Sequence, residues 1–172
     1  MMEQETLRSL LIKAGSYTAK YEKTVQEVRA KLEEWSEGEL LTEETEWIIE
    51  QLCKDKFIDE ERYVERYIRD KVYSLKKGPM MIRQELNERG VPSYLIEGGL
   101  EQIPYDDWFT SLKDYLSSRL ERHKAKAKNG YDLRRRLQGA AFRRGYPSDV
   151  YTEVIDELKL DLEGEREDEF DY

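Results

Sequence analysis

Few side chains in this sequence could do chemistry once each is asked for a partner. His123 is the single histidine and lies between Arg122 and Lys124. Solvent and neighbouring positive charge make it a surface residue and a poor general base. Cys53 is the single cysteine, so no intrachain disulfide can form. It follows Leu52 in an apolar-periodic stretch and reads as a small buried hydrophobe. No Cys/His cluster is present to hold zinc. No glycine-rich loop follows a strand to cradle a nucleotide, since Gly98-Gly99 falls inside a helical pattern. Carboxylate pairs such as Glu60-Glu61 sit where a helix begins, and its dipole accounts for them. The chain therefore reads as a protein without catalysis, cofactor or metal.

Charge is the feature with chemical content. The net charge of −9 hides a division. From Lys113 to Gly145 there are 11 lysines and arginines against 3 acids, whereas Asp149 to Tyr172 holds 2 against 11. Lys124, Lys126, Lys128, Arg134, Arg135, Arg136, Arg143 and Arg144 could neutralise phosphates of a nucleic-acid backbone or face an acidic protein; a merely solvated face is the plain alternative. Lys76, Lys77 and Arg83, with Tyr73 beside them, form a smaller basic group. The acidic tail could mimic nucleic acid and cover the basic block.

The elements that must position these groups are helical. Apolar residues make up 38% of the chain and charged residues 39%, which suits thin layers of amphipathic helices rather than one thick core. A first helix carries Leu7, Leu10, Leu11 and Ala14, with Gly15 as its end. A second carries Val25, Val28, Leu32 and Trp35 and breaks at Ser36-Glu37-Gly38. Thr42 caps a third with Thr45, Ile48, Ile49 and Leu52. Asp59 caps a fourth whose stripe is Tyr63, Val64, Tyr67, Ile68, Val72 and Leu75. Gly78-Pro79 starts a fifth, which Arg89-Gly90 ends through a left-handed glycine. The sixth carries Leu95, Ile96, Leu100 and Ile103. After Pro104 a seventh carries Trp108, Phe109, Leu112, Tyr115, Leu116 and Leu120, and Lys124 to Tyr131 is a basic connector. The eighth carries Leu133, Leu137, Ala141 and Phe142; the ninth carries Val150, Val154, Ile155 and Leu158. Beyond about Leu160 acidic composition predicts disorder. The acidic start is no secretory signal, and no apolar run is long enough to span a membrane. These features predict a cytoplasmic protein without membrane contact.

Arg89-Gly90-Val91-Pro92-Ser93 returns 55 residues later as Arg144-Gly145-Tyr146-Pro147-Ser148. The same offset aligns Ile82 with Leu137, Leu95 with Val150 and Leu100 with Ile155. The fold class expected is all-α, in three tandem three-helix repeats over 1–58, 59–103 and 104–159, with the acidic tail at 160–172. Repeats of this length predict an elongated array with a continuous binding surface. A helix, a glycine turn and a second helix invite comparison with helix-turn-helix readers of DNA. However, the second helices, Ser93 to Ile103 and Pro147 to Leu158, contain acids and no lysine or arginine. Such helices repel phosphate, which excludes major-groove base readout.

The run Asp59-Glu60-Glu61-Arg62-Tyr63-Val64-Glu65-Arg66-Tyr67-Ile68-Arg69 is followed by Lys77-Gly78-Pro79, Ile82-Arg83-Gln84-Glu85-Leu86 and Gly90-Val91. Together they resemble the central motif of the RecX family of bacterial recombinase regulators. Phe142-Arg143-Arg144-Gly145-Tyr146 with Val150 is similar to that family's third repeat. The resemblance covers Phe57 to Leu158. It implies nine helices in three repeats forming a curved molecule. It also implies binding in the groove of the RecA nucleoprotein filament, as a monomer, with damping of RecA's ATPase and strand exchange; some family members also contact DNA. The matching positions here are Tyr63, Tyr67, Lys77, Gly78, Arg83, Arg143 and Arg144. The basic ones are expected as surface contacts and the tyrosines mostly as core. Direct nucleic-acid binding through 113–145 is the alternative reading.

Overall fold

In the computed structural model, which describes residues 3–167 and side chains as far as Leu158, every regular element is helical. These are α1 (Gln4–Lys20), α2 (Val25–Trp35), α3 (Thr42–Lys54), α4 (Glu60–Arg69), α5 (Pro79–Glu88), α6 (Ser93–Glu101), α7 (Tyr105–Ser117), α8 (Leu120–Lys124), α9 (Gly130–Arg143) and α10 (Ser148–Glu167). α4 runs on into a π-helical turn, Asp70–Ser74. The chain divides into two compact units, one of Met1–Tyr67 with Glu85–Gly99, the other of Ile68–Gln84 with Leu100–Tyr172. The helices of the expected second repeat thus contribute to both.

In the first unit α1, α2 and α3 pack on one another around Leu10, Ala14, Val28, Leu32, Ile48, Ile49, Leu52 and Ile58. The starts of α2, α3 and α4 are set by side chains that take up orphan N–H groups there. Thr24 and Glu27 form a reciprocal capping box, with Glu27 N–H donating to Thr24 Oγ1 (3.1 Å) and Thr24 N–H to Glu27 Oε2 (2.8 Å). Arg62 N–H donates to Asp59 Oδ1 at 3.0 Å, so Asp59 is the expected cap. Thr42 is not: it is already helical, and Glu44 reaches back to accept the Leu41 N–H at 3.0 Å. Nor does Gly15 end α1, which continues to Lys20. Burial of Leu10, Ala14 and Thr18 along one face outweighs the roughly 1 kcal/mol cost of a glycine within a helix.

Cys53 is exposed, contrary to expectation. The buried face of α3 runs through Ile48, Ile49 and Leu52, and the next position turns away from it. Partial desolvation, then Glu60 and Asp59, push the thiol above its usual range. Tyr63 and Tyr67 are half-buried rather than core. Their rings stack at 5.9 Å, Tyr67 Oη donates to Glu85 Oε2 at 2.7 Å, and the Arg89 guanidinium lies 5.2 Å above the Tyr67 ring. Desolvation, then the bond to Glu85, pushes the Tyr67 phenol up to about 12.

In the second unit α7, α9 and α10 pack on one another, the π turn packs on α7, and α8 on α9. Tyr146 lies at the centre with no exposed surface. Its ring meets Trp108 edge-on at 6.4 Å. Its hydroxyl donates to Ser111 Oγ (3.0 Å), which donates in turn to the Val72 carbonyl (2.8 Å). Burial pushes the Tyr146 phenol up to about 12. The folded protein thus holds this proton more tightly than the unfolded chain, whose tyrosine titrates near 10. The resulting stability is present below pH 10 and is lost as pH rises through 10 towards 12. Tyr146→Phe should cost about 1 kcal/mol in urea unfolding and remove this part of the alkaline destabilisation. A variant as stable as the parent would mean the hydroxyl contributes nothing.

Three expectations about this unit are corrected. Leu75 is 41% exposed, because in the π turn Leu75 N–H donates to the Asp70 carbonyl five residues back, and the extra residue rotates Leu75 off the stripe that Val72 ends. Phe142 is 62% exposed, since the buried line of α9 runs through Leu137, Ala140 and Ala141. The seventh helix stops at Ser117 and Leu120 begins a separate short helix, so ten α-helices, not nine, are present among the described residues. α10 continues past Leu158 to Glu167; residues 168–172 of the expected disordered tail lie outside the described residues.

The repeated turn has the same bonding in both copies. Gly90 N–H donates to the Asn87 carbonyl and Val91 N–H to that of Leu86. Gly145 N–H donates to that of Phe142 and Tyr146 N–H to that of Ala141. Both glycines are left-handed, at φ +73° and +88°. This is the Schellman arrangement, which requires a left-handed residue just past the helix end.

Candidate binding surface

The Lys77-Gly78-Pro79 stretch and the Arg144-Gly145 turn, expected as separate surface features, form one joint within the second unit. Gly78 N–H donates to the Arg144 carbonyl at 2.8 Å, and Met80 N–H to that of Gly145 at 3.0 Å. A β-carbon on Gly78 would lie 2.3 Å from the Gly145 carbonyl carbon and oxygen, and one on Gly145 would lie 2.5 Å from Met81 N. Only glycine at both positions permits this approach. Arg144 closes the joint. Its Nε donates to the Lys76 carbonyl at 3.2 Å and its Nη2 to that of Leu75, covering carbonyls left open after the π turn. The same guanidinium lies 5.0 Å from the Tyr115 ring. Arg144 is thus half-buried and committed to the fold. Lys76, at φ +53°, reaches Asp114 at 3.0 Å. Tyr73 donates to Asp107 at 2.6 Å. Lys77 and Arg83 are half-buried.

The larger basic block divides by helical position. Arg134 pairs with Asp156 on α10 at 2.6 Å, and Arg136 with Asp132 one turn back at 3.1 Å. Lys124 pairs with Glu121 at 2.7 Å. Lys126, Lys128, Arg135 and Arg143 are exposed and make no ion pair among the described residues. Three of the acids of α10 that argue against base readout are engaged with α7 and α9: Glu153 accepts from Tyr105 Oη, Glu157 from Lys113 at 2.7 Å, and Asp156 from Arg134. These partners lie on adjoining helices, so the charges help to fix helix packing, while the unpaired cations face solvent.

Arg135, Arg136 and Arg143 come together with His123, Asp132 and Gly139 around a cavity of about 290 Å³. α9 supplies all of these but His123, at spacings of three and four residues that share a face. Asn129 accepts the Asp132 N–H at 2.9 Å and caps the helix, while Asp132 accepts the Lys128 N–H at 3.0 Å. That bond, then the Arg136 guanidinium, holds the Asp132 carboxyl below its usual range. His123 is half-buried against this wall, not the fully solvated residue its neighbours suggested. Desolvation, then Arg122, Arg136, Arg143 and Lys126, pull its imidazole below the usual range. Sequence reading missed His123 and Asp132 as members of a common site. The series Asp132, Arg136, Gly139, Arg143 was visible at helical spacing, but nothing in it shows that α8 folds back onto α9.

Among the described residues no group of three or more His, Cys, Asp and Glu side chains could hold a metal ion. No helix there is long and apolar enough to cross a membrane. Helices joined by repeated glycine turns, with a cationic surface on α9, place the chain among all-helical proteins built from three-helix units.

More particularly, the chain is similar to proteins of the RecX family. Residues 59–100 match the family model described as RecX, second three-helix domain. Regulatory protein RecX of Oceanobacillus iheyensis is 30% identical over 160 residues, which is 92% of this chain and 56% of that protein. That of Halalkalibacterium halodurans is 28% identical over 147 residues, 84% of this chain and 53% of that protein. The chain thus spans little more than half the length of these relatives. In the fold comparison, the crystal structure of RecX from Lactobacillus salivarius is similar with a TM-score of 0.85 at 19% identity, over 92% of this chain and 99% of that one. A second crystal structure, of regulatory protein RecX, gives 0.74 at 22% identity over 91% and 79%. At these identities the two structures speak to the fold alone.

Proposed function

We propose that this chain is a non-enzymatic modulator of RecA, acting as a cytoplasmic monomer that binds in the groove of the RecA–DNA filament and damps its ATPase and strand exchange. The reading rests on the match of residues 59–100 to the RecX second three-helix domain. It is supported by the similarity of nearly the whole chain to proteins named as regulatory. The three repeats over 1–58, 59–103 and 104–159 are the units of binding, and the acidic segment over 160–172 modulates the basic block. Lys126, Lys128, Arg135 and Arg143 are the principal contacts, with Lys76, Lys77, Arg83, Lys124, Arg134, Arg136 and Arg144 around them. Substoichiometric amounts added to RecA on single-stranded DNA should lower the rate of ATP hydrolysis. An unchanged rate together with no co-sedimentation with filaments rules the reading out.

The unpaired cations of segment 113–145 favour a second reading, direct contact with a nucleic-acid backbone. It predicts affinity for naked DNA that falls steeply with salt. Binding insensitive to salt excludes it.

A further inference from the structure

We propose that the cavity walled by His123, Arg135, Arg136 and Arg143 is a binding site for a doubly charged phosphate monoester, and that occupancy is coupled to protonation of His123. The site stands on geometry and charge and does not depend on the RecA reading. His123 of α8 and Arg135, Arg136 and Arg143 of α9 line one cavity of about 290 Å³ together with a single acid, Asp132. A single phosphate group fits this volume, being only a few times the size of a water molecule.

The charge balance selects the ligand class. Arg135 and Arg143 make no ion pair among the described residues, whereas Asp132 is already engaged by Arg136 at 3.1 Å and by the Lys128 N–H at 3.0 Å. With neutral His123 the wall carries a net charge of about +2, and with protonated His123 about +3. A phosphodiester brings one negative charge and leaves the wall repulsive; a monoester brings nearly two at neutral pH. The planar donors of arginine also suit bidentate capture of phosphate oxygens.

Gly139 lines the site without a side chain of its own. A β-carbon there would lie 3.1 Å from Arg143 Nη1, crowding the guanidinium at the position it now occupies.

The proton linkage follows from what surrounds His123. Arg122 on its own helix, Lys126 in the connector, and Arg136 and Arg143 on α9 all repel its protonated form. Asp132 is the one acid among the residues that line the cavity. An anion seated among the cations removes that repulsion, so binding takes up a proton and tightens as pH falls. By reciprocity the anion raises the His123 pKa by the logarithm of the affinity ratio of the two protonation states.

Because His123 is the only histidine, its imidazole proton resonances give an unambiguous readout on the full chain. Sulfate serves as the probe, since it stays dianionic across the titration. Without it the His123 midpoint should lie below the ordinary histidine value. Saturating sulfate should raise it by about one unit, matching binding about tenfold tighter well below the free midpoint than at pH 8. Arg143→Gln should weaken sulfate binding about tenfold or more, and His123→Gln should keep binding while abolishing its pH dependence. Arg143 is exposed and His123 half-buried, and circular dichroism checks that each variant folds. A His123 midpoint indifferent to saturating sulfate overturns the site, as does undiminished binding by Arg143→Gln. At pH 7, inorganic phosphate, a nucleoside monophosphate and a 5′-phosphorylated oligonucleotide separate the sources of the monoester, and each should perturb His123 more than the same oligonucleotide ending in a 5′-hydroxyl. Equal perturbation by the two oligonucleotides overturns the monoester assignment.

Discussion

Gly78→Ala should destabilise the second unit by about 3 kcal/mol or more, in the range reserved for substitutions that force backbone apart. The added methyl would stand 2.3 Å from the Gly145 carbonyl, so the two backbone segments must separate. Separation breaks two hydrogen bonds, Gly78 N–H to Arg144 and Met80 N–H to Gly145, and withdraws the Arg144 guanidinium from the Leu75 and Lys76 carbonyls. Lost bonds at this buried joint cost about 1 kcal/mol each, and more where a partner is left unsatisfied. Gly98→Ala is the matched control. A β-carbon at Gly98 meets nothing within 4 Å, and alanine in a helix interior is favoured over glycine by roughly 0.5–1 kcal/mol. One variant should lose stability in urea while the other gains it. If Gly78→Ala stayed within about 1 kcal/mol of the parent, the close approach of the two turns would be wrong.

The second large effect concerns binding. Replacing Lys126, Lys128, Arg135 and Arg143 together with alanine should weaken binding to a RecA–DNA filament, or to DNA, by at least tenfold near physiological salt. It should also lower the salt-dependence slope by about 3 if all four meet phosphates of a single strand. The pair Lys124→Ala and Arg134→Ala should change binding far less, because Glu121 and Asp156 already compensate those charges. Adjacent arginines thus part company. Arg134 turns to α10, Arg135 stays exposed, and Arg136 turns back to Asp132, as steps of about 100° around a helix require. An Arg134-Arg135-Arg136 triple replacement would mix all three roles. Fluorescence anisotropy across a salt series measures both sets, and equal losses from the two would overturn the division.

Much of this was legible because it is local. The stripes of Val28 and Leu32, or of Ile48, Ile49 and Leu52, are periodic along the chain, and those residues are buried together. The Asp59 cap and the left-handed glycines at 90 and 145 need only a few neighbouring residues to be recognised. Where local signals competed with packing, packing decided. Gly15 offered an end to α1, but Tyr17 and Thr18 beyond it still pack inward. Leu75 continued a helical pattern that the π turn interrupts. Phe142 sat beside the α9 stripe and points outward, while Tyr146, four residues on, fills the core.

By itself the sequence determined that the chain is helical, where most helices begin and end, and that positive charge collects between residues 113 and 145. Those properties depend on periodicity, caps and composition, which act over a turn or two of chain. Only the tertiary structure decided which charges are left over. Asp156 lies 22 residues from Arg134 and Asp114 lies 38 from Lys76, and the Gly78 joint closes across 67 residues to Gly145. Such pairings exist only once helices dock, and docking turned a run of like charges into paired cations, a backbone clamp at Arg144 and one cavity lined by guanidinium groups.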